Sequence, residues 1–241
     1  NAIYTAINIK NHIELDDFFN QFKDKEWCGI NVTIPYKEAV IPYLNSTERC
    51  VEIIGACNTI VNKNGRCVGF NTDAEGFYMP LKNKKIENAI VLGNGGAAKA
   101  VLYQCAKEGI TDITLVARNK IKSDDCVKRL NDTFNSKIKT IPFNMFSESL
   151  VKNYKLIVNT TCVGMNQDDD SFPAINAISR GQFFYDLIYS PWETKMIKIA
   201  KANNASVING AMMLAGQAAL AFELFFNLKA DEEKMFSLLK Q

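Results

Sequence analysis

Short apolar runs alternate with amphipathic stretches along most of the chain, a pattern typical of strands alternating with helices. Residues 2–9 form the first run, residues 15–22 repeat Leu and Phe at helical spacing, and residues 29–33 form the second run. Strand, helix and strand in this order predict a parallel βαβ unit. Pro35 suits the first turn of a further helix that would extend to Tyr43.

A hairpin and then a linker follow. Residues 58–61 and 67–70 read as two strands around Asn64-Gly65, a pair that supplies the positive φ angles of a tight hairpin turn. A helix is expected to begin near Thr72. The lysine-rich run 82–85 predicts a solvated linker, and we place a domain boundary there.

The alternation continues beyond the linker. Short apolar runs predict strands at residues 89–92, 113–116, 140–143, 156–158, 183–187 and 206–208. Helices are expected near residues 122–131, 145–152 and 193–203. Strands alternating with helices in this way predict an α/β fold with a doubly wound parallel sheet. The mostly apolar segment 211–239 predicts helices at the end of the chain.

The turn after the strand at 89–92 carries a recognisable pattern. Gly93, Gly95 and Ala98 fit G-x-G-x-x-A between a strand and a helix. Gly93 suits a tight bend, Gly95 lets the backbone approach a pyrophosphate, and Ala98 lets the helix pack closely on the strand. The free N–H groups and the helix dipole would face the phosphates. The pattern favours dinucleotide binding over a plain structural turn.

The residues after the next strand bear on which dinucleotide binds. An NAD site usually has Asp or Glu there for the ribose hydroxyls, whereas this chain has Ala117-Arg118-Asn119-Lys120-Ile121-Lys122. Arg118 can fork onto a 2′-phosphate, with Lys120 or Lys122 as a supporting charge. We therefore expect NADP, and a solvated basic loop is the alternative.

Composition narrows the classes of function. The 241 residues include 28 Lys and Arg against 26 Asp and Glu, so charge points to neither nucleic acid nor an anionic membrane, and a small-molecule partner is expected. No apolar run approaches the roughly 20 residues of a membrane span. Seven cysteines without a C-x-x-C pair indicate a reduced, cytoplasmic setting. His12 is the single histidine, and no metal site is expected.

Two charged residues could carry chemistry. Lys37 would lie at the positive end of a helix dipole, which favours a neutral amine that can exchange a proton; an exposed lysine is the alternative. Asp73 has an ordinary structural explanation, because Thr72 and Glu75 complete a capping box around it. Position alone therefore leaves both residues open.

Several uncharged polar residues are also candidates. Thr33, Asn58 and Thr59 lie near strand ends, where open α/β folds bind ligands, although turns need such residues as well. Gln217 interrupts an apolar helical stripe, so its amide must find partners in the core or on a ligand.

Five motifs in order make the chain resemble the shikimate dehydrogenase family. They are Asn31-Val32-Thr33-x-Pro35-x-Lys37, Gly55-Ala56-x-Asn58-Thr59, Gly69-x-Asn71-Thr72-Asp73-x-x-Gly76, the turn from Gly93 to Ala98, and Gly210-x-x-Met213-x-x-x-Gln217-Ala218-Ala219. The resemblance covers nearly the whole chain. It implies an α/β substrate domain facing a Rossmann NADP domain. It also implies an activity, the reversible reduction of 3-dehydroshikimate to shikimate with NADPH in aromatic amino-acid biosynthesis.

The resemblance assigns roles to residues as well. Lys37 and Asp73 would be the catalytic pair, in which Lys37 handles the proton of the reacting carbonyl or hydroxyl and Asp73 holds it in place. Substrate contacts would come from Thr33, Asn58, Gln217 and Tyr189. Cofactor contacts would come from Gly93, Asn94, Gly95, Gly96, Ala97, Arg118, Lys122, Thr160 and Met213. Within the family's 2′-phosphate loop, Arg118 is retained whereas Ala117 and Asn119 depart from the usual pattern.

The resemblance implies a division into residues 1–83 for substrate and 84–210 for NADP, with the helices of 211–241 packing back on the first part. Family members begin with a strand and a serine-containing loop that binds the substrate carboxylate. Nothing comparable precedes Asn1, so a longer native protein is expected. A monomer or homodimer is expected. The alternatives are a quinate/shikimate dehydrogenase with relaxed substrate or cofactor use, and a non-catalytic dinucleotide-binding sensor.

Overall fold

The computed structural model describes residues 2–22, 27–119, 121–166, 168–169 and 171–240, apart from the side chain of Lys122. Its strands form a four-stranded sheet in the first third of the chain and a six-stranded sheet in the remainder. The predicted α/β class is therefore confirmed, with one sheet on either side of the lysine-rich segment 82–85.

The smaller sheet has the strand order β1-β3-β4-β2. Its strands are β1 (Gly29–Asn31), β2 (Ser46–Thr47), β3 (Thr59–Lys63) and β4 (Arg66–Phe70). β3 and β4 form the predicted antiparallel hairpin, and Asn64 and Gly65 at its tip have φ angles of 54° and 81°. β1 pairs antiparallel with β3. The predicted parallel βαβ unit is wrong, because residues 2–9 form no strand to pair with residues 29–33.

Residues 2–9 form no regular strand, contrary to the prediction. Ile3 is 92% exposed and Tyr4 is 79% exposed. The Tyr4 hydroxyl donates to Asn31 Oδ1, and the Tyr36 hydroxyl donates to the Ile9 carbonyl, so side chains hold this segment beside β1. The reason is that β-propensity records how well residues suit a half-buried sheet surface, and this segment gains no such surface.

The helix predicted from Pro35 is also absent. Residues 34–40 form consecutive turns, followed by a short 3-10 helix at Ile41–Tyr43. Pro42 explains the difference, because it has no N–H to donate and its ring obstructs the preceding helical turn. The segment therefore places Lys37 on a turn (residues 34–40, here called the lysine turn).

The larger sheet is entirely parallel, with the order β10-β9-β8-β5-β6-β7. Its strands are β5 (Asn88–Leu92), β6 (Asp112–Val116), β7 (Lys137–Ile141), β8 (Leu156–Asn159), β9 (Phe183–Asp186) and β10 (Ser206–Asn209). This is the doubly wound arrangement that the sequence predicts, with the topological switch between β5 and β8. The third strand was predicted at 140–143 and begins earlier, because Ile138 is buried between two exposed lysines.

Nine α-helices are described. They are α1 (His12–Phe22), α2 (Arg49–Ile54), α3 (Thr72–Tyr78), α4 (Gly96–Lys107), α5 (Ile121–Phe134), α6 (Glu148–Val151), α7 (Lys195–Ala202), α8 (Gly210–Phe226) and α9 (Glu232–Leu238). Further 3-10 helices lie at Met79–Leu81, Phe143–Met145 and Pro173–Ala177. None of the described helices is long and apolar enough to cross a membrane.

Helix α8 packs closely against α3. A Cβ atom added at Gly76 would lie 2.6 Å from the backbone nitrogen of Gln217, and one at Gly216 would lie 2.6 Å from the sulfur of Met79. Only glycine allows this approach without displacing the neighbouring helix. The contact brings the end of the chain onto the helix that carries Asp73.

One core cluster is shared by helices from the first third of the chain and the larger sheet. One cluster of buried side chains joins Ile54 of α2 and Phe77 of α3 with Val91, Leu115 and Tyr185 of the larger sheet. The rings of Phe77 and Tyr185 stack with centroids 5.0 Å apart. Separate clusters cover the other face of the larger sheet and the contact of α1 with the smaller sheet.

Candidate active site

Lys37 and Asp73 form an ion pair where the lysine turn meets the start of α3. Lys37 Nζ lies 2.6 Å from Asp73 Oδ2, and the two side chains are 19% and 8% exposed. The turn is held because the Cys57 N–H donates to the Lys37 carbonyl at 2.7 Å. The helix dipole invoked for Lys37 does not exist here, since Lys37 is not in a helix. The charged group that faces Lys37 is instead the nearly buried carboxylate of Asp73.

The expected capping box around Asp73 is wrong. Asn71 caps α3, and its side-chain oxygen accepts from the Ala74 N–H at 3.3 Å. Thr72 is the first residue of the helix. Because Asn71 satisfies the helix end, the carboxylate of Asp73 is directed toward Lys37 and Asn58.

Asn58 holds the Asp73 carboxylate of this ion pair in place. Its Nδ2 donates to Asp73 Oδ1 at 2.9 Å and to Thr72 Oγ1 at 3.0 Å. Its Oδ1 accepts from the Thr72 N–H at 2.7 Å and from Thr59 Oγ1 at 3.1 Å. Both halves of this buried amide are therefore occupied, and a contact between Asn58 and substrate requires one of these bonds to be given up. Its substrate role stays a prediction.

The other predicted substrate residues lie around the pair at different depths. Thr33 is exposed immediately before the lysine turn. Gln217 is half-buried on α8 against Gly76, one helical turn beyond Asp73, and its Nε2 donates to the Leu214 carbonyl at 3.1 Å. Tyr189 is 51% exposed in the loop after β9. A hydrogen bond joins this loop to the start of α8, because the Gly210 N–H donates to the Ile188 carbonyl.

The glycine turn has the geometry that a pyrophosphate requires. Gly93 has a φ of 102°, and a Cβ there would lie 2.8 Å from Thr160 Oγ1. Gly95 begins α4 without a side-chain cap, and a Cβ there would meet no atom within 4 Å. The start of α4 is therefore free of a side-chain cap and has open space at Gly95, as anion binding at a helix start needs. Ala98 is fully buried against the sheet, as expected.

The glycine turn and the lysine turn are neighbours. A Cβ atom added at Gly96 would lie 3.8 Å from Cδ of Lys37, which is ordinary van der Waals contact. The start of α4 therefore lies beside the Lys37–Asp73 pair. Ala97, in the first turn of α4, is partly exposed on the same helix end.

Two loops flank the glycine turn. Asn94 Nδ2 donates to the Asn119 carbonyl at 2.6 Å, which ties the glycine turn to the loop after β6. Arg118 in that loop is exposed. Lys120 and the side chain of Lys122 lie outside the described residues. On the other side, Thr160 Oγ1 donates to the Leu92 carbonyl at 2.6 Å, and Met213 is 8% exposed within the shared core.

Asp186 is a site residue that sequence reasoning missed. It is fully buried at the end of β9, beside Asn159 at the end of β8. Its carboxylate accepts from Asn159 Nδ2 at 2.9 Å, from the Ile188 N–H at 3.2 Å and from Thr194 Oγ1 at 2.6 Å. The signal in the sequence was a polar residue ending each of two neighbouring parallel strands. The network fixes the loops that carry Thr160 and Tyr189.

Asp186→Asn should change how stability depends on pH. Burial raises the pKa of the Asp186 carboxyl, although bonds from Thr194, Ile188 and Asn159 oppose the shift. A raised pKa means that the folded state holds the proton more tightly, so this stabilisation is present at low pH and lost as pH rises through the folded pKa. Asparagine does not titrate. Urea unfolding from about pH 4 to about pH 7 should show the wild type losing stability relative to Asp186→Asn.

An unchanged stability difference across that range would contradict a raised pKa. Asp169→Asn is the matched control, because backbone N–H groups of Gly164 and Asn166 lower the pKa of that carboxyl. A lowered pKa contributes stability that is lost only as pH falls through the folded pKa. The stability difference between the wild type and Asp169→Asn should therefore stay constant from about pH 5 to about pH 7 and change, with the opposite sign, below about pH 4.

A doubly wound parallel sheet with an open glycine turn at its switch point, adjoined by an ion-paired lysine, defines a dinucleotide-dependent oxidoreductase. Among the described residues, no group of three or more His, Cys, Asp or Glu side chains could hold a metal ion. The site combines an uncapped helix start that can bind an anionic dinucleotide with a Lys–Asp pair that can carry a proton.

Comparison with known proteins specifies the family. Residues 1–60 match the family described as "Shikimate dehydrogenase substrate binding domain", and residues 210–235 match "Shikimate 5'-dehydrogenase C-terminal domain". Shikimate dehydrogenase (NADP(+)) of Halothermothrix orenii is 38% identical over 241 residues, which cover 96% of this chain and 83% of that protein. The chain belongs to the shikimate dehydrogenase family.

Solved structures agree with this assignment. Shikimate 5-dehydrogenase of Listeria monocytogenes, in complex with shikimate and NAD, superposes with a TM-score of 0.88 at 25% identity, over 97% of this chain and 84% of that one. The enzyme of Thermus thermophilus, in complex with NADP(H) and shikimate, gives a TM-score of 0.82 at 30% identity, over 96% and 85%. The resemblance drawn from the five motifs is confirmed.

Proposed function

We propose that the chain catalyses the reversible, NADP-dependent reduction of 3-dehydroshikimate to shikimate. The observation that carries the proposal is the Lys37–Asp73 ion pair beside the glycine turn. A carbonyl reduction needs a hydride at carbon and a proton at oxygen, and this site brings a proton-carrying ammonium beside a dinucleotide-binding turn. The printed names of the relatives, which are NADP-dependent shikimate dehydrogenases, support the same reaction.

Lys37 is the proposed proton donor. In the reductive direction its ammonium gives a proton to the carbonyl oxygen as hydride arrives at the carbon, and in the oxidative direction the neutral amine takes the hydroxyl proton back. NADPH, when bound, supplies the hydride. Asp73 holds Nζ of Lys37 at 2.6 Å and is itself held by Asn58, so the donor is oriented before substrate binds. Asp73 also accepts a substrate hydroxyl in this proposal.

The remaining substrate contacts are assigned to four side chains around this pair. Thr33 and Tyr189 are exposed enough to reach a ligand. Gln217 of α8 packs against Gly76, which lies one helical turn after Asp73 in α3. Asn58 joins them if it exchanges one internal bond for a substrate hydroxyl. Hydroxyl and amide groups of this kind suit a polyhydroxylated ring, since each can donate or accept.

The cofactor is assigned to the glycine turn and its two flanking loops. Backbone N–H groups of Gly95, Gly96 and Ala97 would bind the pyrophosphate. Asn94 would stabilise the turn through its hydrogen bond to the Asn119 carbonyl. Thr160 and Met213 would line the nicotinamide side. Arg118, with Lys122, would bind the 2′-phosphate, and no Asp or Glu occupies residues 117–122 to favour a free ribose hydroxyl.

Arg118→Ala should weaken NADP binding and leave NAD use nearly unchanged. Each charge-assisted contact to phosphate contributes about 1.5–3 kcal/mol, so the KM for NADP should rise roughly tenfold or more. The measurement is KM for both cofactors at saturating shikimate. Arg180→Ala, which removes a charge outside the 2′-phosphate loop, is the control. An equal rise in KM for NADP and for NAD would show that Arg118 does not bind the 2′-phosphate.

We assign residues 1–83 and the helices of 211–241 to a substrate domain and residues 84–210 to an NADP domain. The packing of α8 on α3 supports this grouping. A cytoplasmic location is supported by seven cysteines, none of which forms a disulfide bond in the described part of the chain. A monomer or homodimer is assigned as the assembly.

The test is shikimate-dependent reduction of NADP, followed by the absorbance of NADPH, with NAD and quinate assayed in parallel. Turnover with shikimate and NADP that exceeds the other three combinations supports the proposal. Comparable turnover of quinate would identify a quinate/shikimate dehydrogenase. NADPH binding without turnover of either compound would identify a non-catalytic sensor and reject the proposed activity.

A further inference from the structure

A second ion pair stands beside the first, on the adjacent residue of the lysine turn. Glu38 Oε1 lies 2.8 Å from Nζ of Lys99, the fourth residue of α4. The Lys99 side chain is 10% exposed and the Glu38 side chain is 50% exposed. Consecutive residues of one turn therefore pair with different helices, since Lys37 is bound to α3 and Glu38 to α4.

The position of Lys99 relates this pair to the dinucleotide site. The Lys99 N–H donates to the Gly95 carbonyl at 3.1 Å, so Lys99 lies one helical turn after the glycine that would face the pyrophosphate. Side chains in a helix lean toward its N-terminus, which directs Lys99 toward the glycine turn. A nearly buried ammonium there needs a partner, and Glu38 supplies it.

The lysine turn depends on such anchors. It has no regular helix or strand, and Ile34, Pro35 and Glu38 are exposed along it. Its described ties include the Cys57 N–H bond to Lys37, the ion pair with Asp73 and the ion pair with Lys99. Removing Glu38 leaves Lys37 attached to the substrate side only.

We propose that Glu38 and Lys99 are positioning residues that set the distance between Lys37 and the dinucleotide-binding turn. This inference rests on the proposed dehydrogenase function. Hydride and proton must reach the same carbonyl group, so a small displacement of the proton donor relative to the nicotinamide slows the chemical step without loosening either ligand. The pair thus acts on kcat and leaves ligand affinity nearly intact.

A double-mutant cycle with Glu38→Ala, Lys99→Ala and the double variant tests this proposal. Each single change should lower kcat by about tenfold or more, because misplacement near 1 Å can cost up to about a hundredfold. KM for shikimate and Kd for NADPH, measured by fluorescence titration, should stay within about threefold. The double variant should be no slower than the slower single variant, since both remove one shared interaction.

Two further variants separate positioning from general structural damage. Lys99→Arg keeps the charge and the donors, and should recover most of the kcat that Lys99→Ala loses. Glu87→Ala breaks an exposed ion pair with Lys85, outside both turns, and should leave kcat at the wild-type value. Thermal unfolding of each variant should be measured alongside, at assay temperatures well below every midpoint.

Several results would overturn the inference. If Lys99→Ala weakens NADPH binding tenfold while Glu38→Ala does not, Lys99 is a phosphate ligand and not part of a positioning pair. Additive losses in the double variant, or unchanged kcat in Glu38→Ala, would also reject it. A wild-type protein active on shikimate with unaffected variants rejects this inference alone, whereas an inactive wild type rejects the proposed function on which it rests.

Discussion

Lys37→Ala is expected to reduce kcat by about a hundredfold to ten-thousandfold, which is the usual contribution of a positioned proton donor. Lys37 Nζ lies 2.6 Å from Asp73, and the change leaves hydride donor and substrate in place while removing the proton source. NADPH affinity should not change, because the cofactor is assigned to α4 and its flanking loops. Steady-state kinetics in both directions and NADPH fluorescence titration measure the two quantities.

The matched control for that prediction is Lys85→Ala. Lys85 is a highly exposed lysine in the lysine-rich segment, and its loss should leave kcat unchanged. Asp73→Asn adds a second test, because asparagine keeps the shape and the Asn58 contact but loses the charge that holds the ammonium. Asp73→Asn should lower kcat, and it should change the free energy of unfolding less than it changes the activation free energy. Full activity in Lys37→Ala would exclude Lys37 as proton donor and identify another acid.

Gly95→Val is expected to abolish tight NADP binding without destabilising the fold. A Cβ at Gly95 meets no atom within 4 Å, and its φ of −78° suits any residue, so an added Cβ clashes with nothing in the folded chain. A bound pyrophosphate would occupy that same space. Kd for NADPH should rise by about tenfold to a hundredfold, or roughly 1.4–2.8 kcal/mol, in a fluorescence titration.

Gly93→Ala is the instructive comparison. Gly93 has a φ of 102°, and its added Cβ would lie 2.8 Å from Thr160 Oγ1. This change should destabilise the protein by about 1–3 kcal/mol in urea unfolding, because the backbone conformation is unfavourable for alanine. If Gly95→Val instead lowers stability and leaves NADPH binding intact, the open space at Gly95 is not a phosphate site.

The larger sheet could be predicted from sequence because its signals are local. Buried parallel strands read as continuous apolar runs, and residues 89–92 run directly into the glycine turn. The turn sequence also specifies its own geometry, since Gly93 adopts the positive φ for which glycine is suited. Strand order then follows from the alternation of strands and helices and the handedness of their connections.

The first third of the chain was harder because its conformation depends on what each segment touches. Residues 2–9 have the composition of a strand and remain outside both sheets. The lysine turn has helical periodicity that Pro42 interrupts. Asn71 and Thr72 are both good caps, and the choice between them was made by a tertiary contact, the Asn58 amide that binds Thr72.

The catalytic candidates came from resemblance, whereas their supports came from the structure. Polar residues at two strand ends hint that Asn159 and Asp186 meet, but nothing near Asp186 in the sequence indicates that Thr194 binds its carboxylate, and nothing near Glu38 indicates Lys99. These partners are separated by many residues and meet only because parallel strands end at one edge and α4 begins beside the lysine turn. Periodicity and motif spacing contain no record of such contacts.

The buried cluster shared by α2, α3 and the larger sheet limits how this protein can be rearranged. Phe77 stacks on Tyr185, and Ile54 packs in the same buried cluster as Val91. A dinucleotide half excised at the lysine-rich segment would expose that cluster to water, at a cost of roughly 25 cal/mol for each Å² of apolar surface uncovered. Exchange of the cofactor half between relatives therefore has to carry α2 and α3 with it, and a chimaera joined at residues 82–85 alone would be prone to aggregation.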